Sequence, residues 1–328
     1  MRSSGPSDRA TDGSSQAEPG TTSQPGAPSE DQPAPNGAAP DVVPGAQSAN
    51  GPAKPGGRNL KVAVPVALGL IALLLATVCF NPWPFVALVA IAVTLASWEL
   101  SRALAKGGID LPVVPLALGG VGMVVAAATS GPPGVVVGFV LTVALTMAWC
   151  LADAAGGRPP AKDLYAAFFA VLYLPGLASF VVLLAFEDFF NYGRWLVVLL
   201  VALPAASDTG GFFAGSYLGK HKLAPSVSPK KTWEGLAGSL VLTMAVAAVA
   251  FWLLHGPLWL GLVLGLVGVG TATLGDLAVS LLKRDLGLKD MGSLLPGHGG
   301  VLDRVDSILL TAPAAYLLLT WWVQGGPG

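Results

Sequence analysis

Apolar stretches of about 20 residues, the length a helix needs to cross a bilayer, recur from Val62 to Val323 between short breaks of Gly, Pro or charged residues. About nine runs can be drawn, over 62–80, 83–104, 111–129, 134–152, 164–186, 194–217, 234–255, 257–283 and 304–323. The pattern predicts an all-α, polytopic integral membrane protein with about nine transmembrane helices and almost nothing left over for a soluble domain. Residues 1–58 depart from it. They are rich in Pro, Gly, Ser, Ala and Gln with almost no large apolar side chains, so they cannot bury enough surface to offset the entropy of ordering. The expected division is a disordered cytoplasmic tail over 1–58 and a transmembrane domain over 59–328. The tail does not read as a secretory signal, because the first apolar run begins only after Lys61.

Composition agrees. Of 328 residues, 53% are hydrophobic and 11% charged, against about 25% charged in a soluble domain. A net charge of -1 gives no basic field that would attract nucleic acid. Cys79 and Cys150 lie in apolar runs, and two thiols make neither a disulfide framework nor a four-ligand zinc site. Lys and Arg are retained on the cytoplasmic side of short loops. With nine crossings, one side collects Lys54, Arg58, Lys61, Arg102, Lys106, Arg158, Lys162 and the 220–231 and 283–304 loops, whereas the other offers Arg194. The expected orientation is an N-terminus in the cytoplasm, a C-terminus outside, and chemistry at the cytoplasmic face of the cell membrane.

Outside the tail, polar chemistry concentrates in two segments. The first holds Ser207, Asp208, Thr209 and Gly210, then Gly219-Lys220-His221-Lys222-Leu223-Ala224-Pro225, then Ser228-Pro229-Lys230-Lys231-Thr232-Trp233-Glu234-Gly235. Asp208 falls inside an apolar run, where an ionised carboxylate costs at least about 2.5 kcal/mol unless it meets a cation or a water-filled cavity. Its two readings are a functional acid and an interhelical ion pair. The four lysines suit anionic phosphates, while the prolines and hydroxyls keep their loop out of regular helix. A basic juxtamembrane loop can also simply mark topology or anionic lipid contact.

The second segment carries Asp276, Ser280, Lys283 and Arg284, then Lys289-Asp290, then Pro296-Gly297-His298-Gly299-Gly300, then Asp303-Arg304-Val305-Asp306. Asp276, Ser280 and Lys283 are spaced to share one helix face, and Asp303 and Asp306 share another across one turn. The glycine-rich loop before Asp303 allows close backbone approach, and helix-start amides favour phosphate. Carboxylates beside cations suit a divalent metal bridging nucleotide phosphates, because Mg²⁺ takes one or two protein carboxylates and fills its shell with phosphate and water. A mutually neutralising ion-pair network is the other reading. Glu99 and Asp153 are further membrane acids without a motif, and pairing is the expectation for both.

On these residues the chain resembles the phosphatidate cytidylyltransferases. The stretch from Ser280 to Asp306 is similar to that family's signature, with its serine, Lys-Arg, Lys-Asp, His-Gly-Gly and Asp-Arg-x-Asp in order, and the runs from Ser207, Gly219 and Ser228 are similar as well. The matching parts cover about the last third of the chain. The resemblance implies a helical membrane enzyme and homodimer that joins CTP to phosphatidic acid at a site using Mg²⁺, with K⁺ as a monovalent companion. It carries the metal ligands onto Asp276 and Asp303. Lys283, Arg284, Lys289, Asp290, His298, Arg304 and Asp306 complete the catalytic set, and Ser207, Asp208, Lys220, His221, Lys222, Ser228, Lys230, Lys231, Thr232 and Ser280 the substrate-binding one. Two positions depart from the family pattern: Val279 stands where Glu is frequent and Ser216 where a basic residue is frequent. The rivals are a transporter, which would show paired broken helices in matching halves, and a CTP-dependent enzyme acting on another lipid. No internal repeat favours the transporter.

Overall fold

The computed structural model describes residues 60–154, 156–157, 161–187, 193–295 and 299–325. The expected tail and His298 lie outside the described residues. Among the described residues, nine α-helices follow one another: α1 Leu60–Phe80, α2 Pro82–Lys106, α3 Val113–Ala154, α4 Ala161–Val171, α5 Leu177–Phe186, α6 Gly193–Leu218, α7 Trp233–Leu253, α8 Leu258–Asp285 and α9 Leu302–Gly325. A π-turn, Leu172–Gly176, joins α4 to α5 and holds Pro175, which cannot donate to the helical ladder. Between α6 and α7 stand two short antiparallel strands, β1 Lys222–Ala224 and β2 Ser228–Thr232, with Lys222 opposite Thr232 and Ala224 opposite Ser228. The lysine-rich loop expected to avoid helix is therefore a β-hairpin.

Seven continuous helical stretches among the described residues are long and apolar enough to cross a membrane, with α4 and α5 joined into one, and the apolar part of α1, Val64–Val78, is shorter. Their backbones are satisfied within each helix, as hydrocarbon requires. Large apolar side chains face outward, including Trp252 at 67% and Leu141 at 63% exposure, as lipid contact demands. The joined α4–α5 stretch is the most enclosed of the seven, and α5 packs on α3, α6 and α9.

The 42-residue α3 bends at Gly131, whose backbone is left-handed (φ 61°) and followed by Pro132 and Pro133. Its arms fold back on each other: a side chain at Gly119 would strike Thr142, one at Gly138 would strike Met123, and one at Gly134 would strike Ala126. The Gly-Pro-Pro break in the sequence is thus the tip of a helical hairpin.

Small residues also set the contact that matters for the site. Gly210 and Gly238 bring the backbones of α6 and α7 together so closely that a side chain on either would strike the other helix. Gly235 lies against Gly211 and Gly215 in the same seam. Association of this kind gains packing that lipid cannot supply. Ser239 on α7 donates from Oγ to the Ser207 carbonyl on α6 at 2.5 Å. The β-hairpin ends where Thr232 caps α7, its hydroxyl accepting from the Gly235 N–H at 3.0 Å.

Candidate active site

The hairpin and the facing helices α6, α7 and α8 enclose a cavity of about 420 Å³ lined by Ser207, Asp208, Ser216, Lys230, Lys231 and Thr232 among others. Five residues expected to bind substrate therefore do line one space. Asp208 is exposed into it, so the carboxylate is sealed from neither side chains nor solvent-sized molecules. Ser216 turns its hydroxyl onto its own helix, donating to the Phe212 carbonyl at 2.6 Å, so this wall carries no cation at that position.

Lys231 joins the two chemical segments. It reaches from β2 to α8, where its Nζ lies 2.6 Å from Asp276 Oδ2, both side chains being about one-third exposed or less. Asp276 stands within electrostatic range of Asp208 and of Asp306, which is buried on α9. Arg304, exposed on α9, acts on Asp208 from the same neighbourhood.

A second node lies at the start of α9. Lys283 Nζ sits 2.7 Å from Asp303 Oδ1, with side chains only 13% and 5% exposed. The other oxygen, Asp303 Oδ2, accepts the N–H groups of Met291 at 2.9 Å and Gly300 at 3.1 Å. Asp303 therefore ties α8, the backbone at Met291 and Gly300, and α9 into one unit. Gly275 allows the approach of α8 to α9, since a side chain there would strike the Asp306 backbone. Ser307 Oγ donates across the same seam to the Ala272 carbonyl at 3.1 Å.

Other expected residues stand apart from the cavity lining. His221 is exposed and its Nδ1 lies 2.7 Å from Glu234 Oε1, so it fastens the hairpin to the first turn of α7. Lys220 and Lys222 are exposed beside it, and Lys289 and Asp290 are exposed on the loop after α8. Arg284 Nε donates to the Val227 carbonyl at 3.4 Å, a long contact between α8 and the hairpin turn. Ser228 and Ser280 are half-buried, and Val279, where the family pattern often has an acid, is a core residue at 3% exposure.

Sequence reasoning missed the role of Glu99. It is 1% exposed on α2, and among the described residues it is met by backbone: Oε2 accepts the Leu302 N–H at 2.9 Å, and the Val301 and Leu294 backbone act on the same carboxyl group. The only signal was an acid in the middle of an apolar run, which carried no indication of its partner.

The donor set fits a hard divalent cation. The acids around Asp276 supply oxygen only, and Asp303 has three of its roughly four lone-pair sites taken, leaving one. Among the described residues no three or more His, Cys, Asp or Glu side chains form a ready-made metal cage. Magnesium needs none when phosphate oxygens and water complete its shell.

The model of a family described as "Cytidylyltransferase family" matches residues 61–322. Phosphatidate cytidylyltransferase from Mycobacterium bovis is 40% identical over 277 residues, covering 80% of this chain and 89% of that protein. Proteins of the same name from Mycobacterium tuberculosis and Mycobacterium leprae are also 40% identical over 80% of this chain, covering 83% and 88% of their own lengths. With this extent of match, and with the hairpin and the carboxylate-bearing helices meeting at one cavity, the chain belongs to the cytidylyltransferase family.

Proposed function

We propose that the chain is a phosphatidate cytidylyltransferase, which joins CTP to phosphatidic acid, forms CDP-diacylglycerol and releases pyrophosphate in phospholipid biosynthesis. The observation that carries this reading is the 2.6 Å contact of Lys231 with Asp276, which fastens the basic hairpin to the carboxylate-bearing helix α8 beside the cavity that Asp208, Lys230 and Lys231 line.

In the reaction a phosphate oxygen of phosphatidic acid attacks the α-phosphorus of CTP. The new P–O bond forms as the bond to the β-bridging oxygen breaks, and its electron pair leaves with pyrophosphate. No protein nucleophile is needed, so the protein's task is to align two polyanions and spread the developing charge. Lys230 and Lys231 on the cavity wall, with Lys220 and Lys222 at its margin, hold CTP or the lipid headgroup. Lys283, Arg284, Lys289, Arg304 and His298 face the phosphates in this reading. Asp303 keeps Lys283 in place. Magnesium, with potassium as a companion, would be held by Asp276 and Asp303 with Asp208 or Asp306 assisting, and would neutralise triphosphate charge. The exposed Phe212 beside Asp208 supports entry of a diacyl substrate sideways from the bilayer.

Nine crossings are our count: α1, α2, two arms of α3, α4 with α5 as one, and α6 to α9. At about 1.5 Å per residue, the 42 residues of α3 would span twice a bilayer core if straight, and its fold at Gly131 supports two passes. This count puts the N-terminal tail and the site in the cytoplasm and the C-terminus outside the cell membrane. A homodimer is the assembly that the resemblance implies. The test is pyrophosphate release by purified protein given CTP, phosphatidic acid and Mg²⁺. Turnover that fails with ATP and with Asp303→Ala is expected, and no turnover by the intact protein would overturn the proposal.

A further inference from the structure

We propose that Glu99 is a positioning residue, delivered by α2 to hold the loop before α9 in the shape that fixes Asp303. The inference rests on the assignment of Asp303 to the reacting site, and it reaches outside the segment that carries the family signature. Glu99 lies 203 residues from Leu302, whose N–H it accepts at 2.9 Å. That amide opens α9, where the carboxyl oxygen meets the positive end of the helix.

The loop is shaped around this carboxylate. A side chain on Gly292 would overlap Glu99 Oε1, and one on Gly300 would overlap Oε2, so the two glycines form a notch for it. The same stretch of backbone supplies the donors of Asp303, from Met291 and Gly300. Two carboxylates thus clasp one loop from opposite ends of the sequence, Glu99 between Gly292 and Gly300, and Asp303 on the neighbouring amides. Without Glu99, the amides that orient Asp303 lose their backing, and Lys283 loses a fixed partner.

Cost argues for function over simple packing. Glu99 Oε1 is buried with no hydrogen-bond partner among the described residues. A buried oxygen left unpaired is unfavourable, and an apolar residue would avoid it. The carboxyl group at the α9 start is kept despite that cost. Glu99 is not among the residues that line the cavity, and it stands within electrostatic range of Asp303, so its effect reaches the site through the loop and through Asp303.

The experiment compares wild type, Glu99→Gln and Glu99→Ala, each with intact lipid and Mg²⁺, by steady-state kinetics and by amide hydrogen exchange read on peptides. Gln keeps the shape and one acceptor, so kcat should fall about tenfold, and Ala should lower it about 100-fold, with KM for phosphatidic acid within about twofold. Peptides covering 291–302 should exchange about tenfold faster, while those of α6 and α7 stay as in wild type. Wild-type exchange and turnover in Glu99→Gln would overturn the proposal, as would uniform loss of protection in every helix with kcat per folded molecule unchanged. If Ala fails to fold, the isosteric Gln variant decides. Asp303→Ala run in parallel separates the two levels: if it retains full activity, the site assignment fails, whatever Glu99 does.

Discussion

Asp303→Asn changes one atom's chemistry and almost no volume, yet it should be severe. The wild-type carboxylate takes Lys283 on one oxygen and two backbone N–H groups on the other. An amide has a single acceptor oxygen. If that oxygen faces Lys283, its NH₂ points at two donors, and if it faces the amides, its NH₂ points at an ammonium. At least one charge-assisted bond is lost, worth about 1.5–3 kcal/mol. Lys283, 13% exposed, is also left without its countercharge, and breaking a buried pair from one side costs about 3–5 kcal/mol. The thermal midpoint in detergent should therefore drop well below wild type, and kcat should fall at least about 100-fold by the usual conversion of about 1.4 kcal/mol per tenfold. Adding Lys283→Met removes the stranded charge, so the double variant should recover most of the lost stability while staying inactive. Midpoints by fluorescence-detected unfolding and turnover by pyrophosphate release read the two effects separately. A double variant no more stable than Asp303→Asn, or a single variant with wild-type turnover, would refute the reasoning.

Lys231→Ala breaks a pair about one-third exposed, so stability should change by no more than about 1 kcal/mol, while KM for CTP rises at least about tenfold in steady-state kinetics. Gly238→Leu should wedge α7 away from α6 at a cost of at least about 1–3 kcal/mol, seen as loss of the monodisperse peak in size-exclusion chromatography, whereas Gly270→Ala, which meets open space, should elute as wild type. Chelation by EDTA should abolish turnover and Mg²⁺ should restore it, and Asp276→Asn should require about tenfold more Mg²⁺ for half-maximal rate, measured by metal titration.

The sequence by itself determined the membrane class, the helical runs and the two polar segments proposed to carry chemistry. Each of these is a local property: apolar length decides whether a helix suits lipid, and spacing along one helix decides which of Asp276, Ser280 and Lys283 share a face. The Gly-Pro-Pro break at 131–133 likewise marked where α3 turns. Only tertiary structure decided which faces meet. Spacing placed Asp276 and Lys283 on one helix face, and each has its partner on another element, Lys231 on β2 and Asp303 on α9. His221, expected in the substrate-binding set, lies with its Nδ1 2.7 Å from Glu234 Oε1, a neighbour that spacing did not indicate. Glu99 showed the limit most plainly, because its partner is a backbone amide far along the chain, and a backbone N–H leaves no mark in the residue types that a sequence displays.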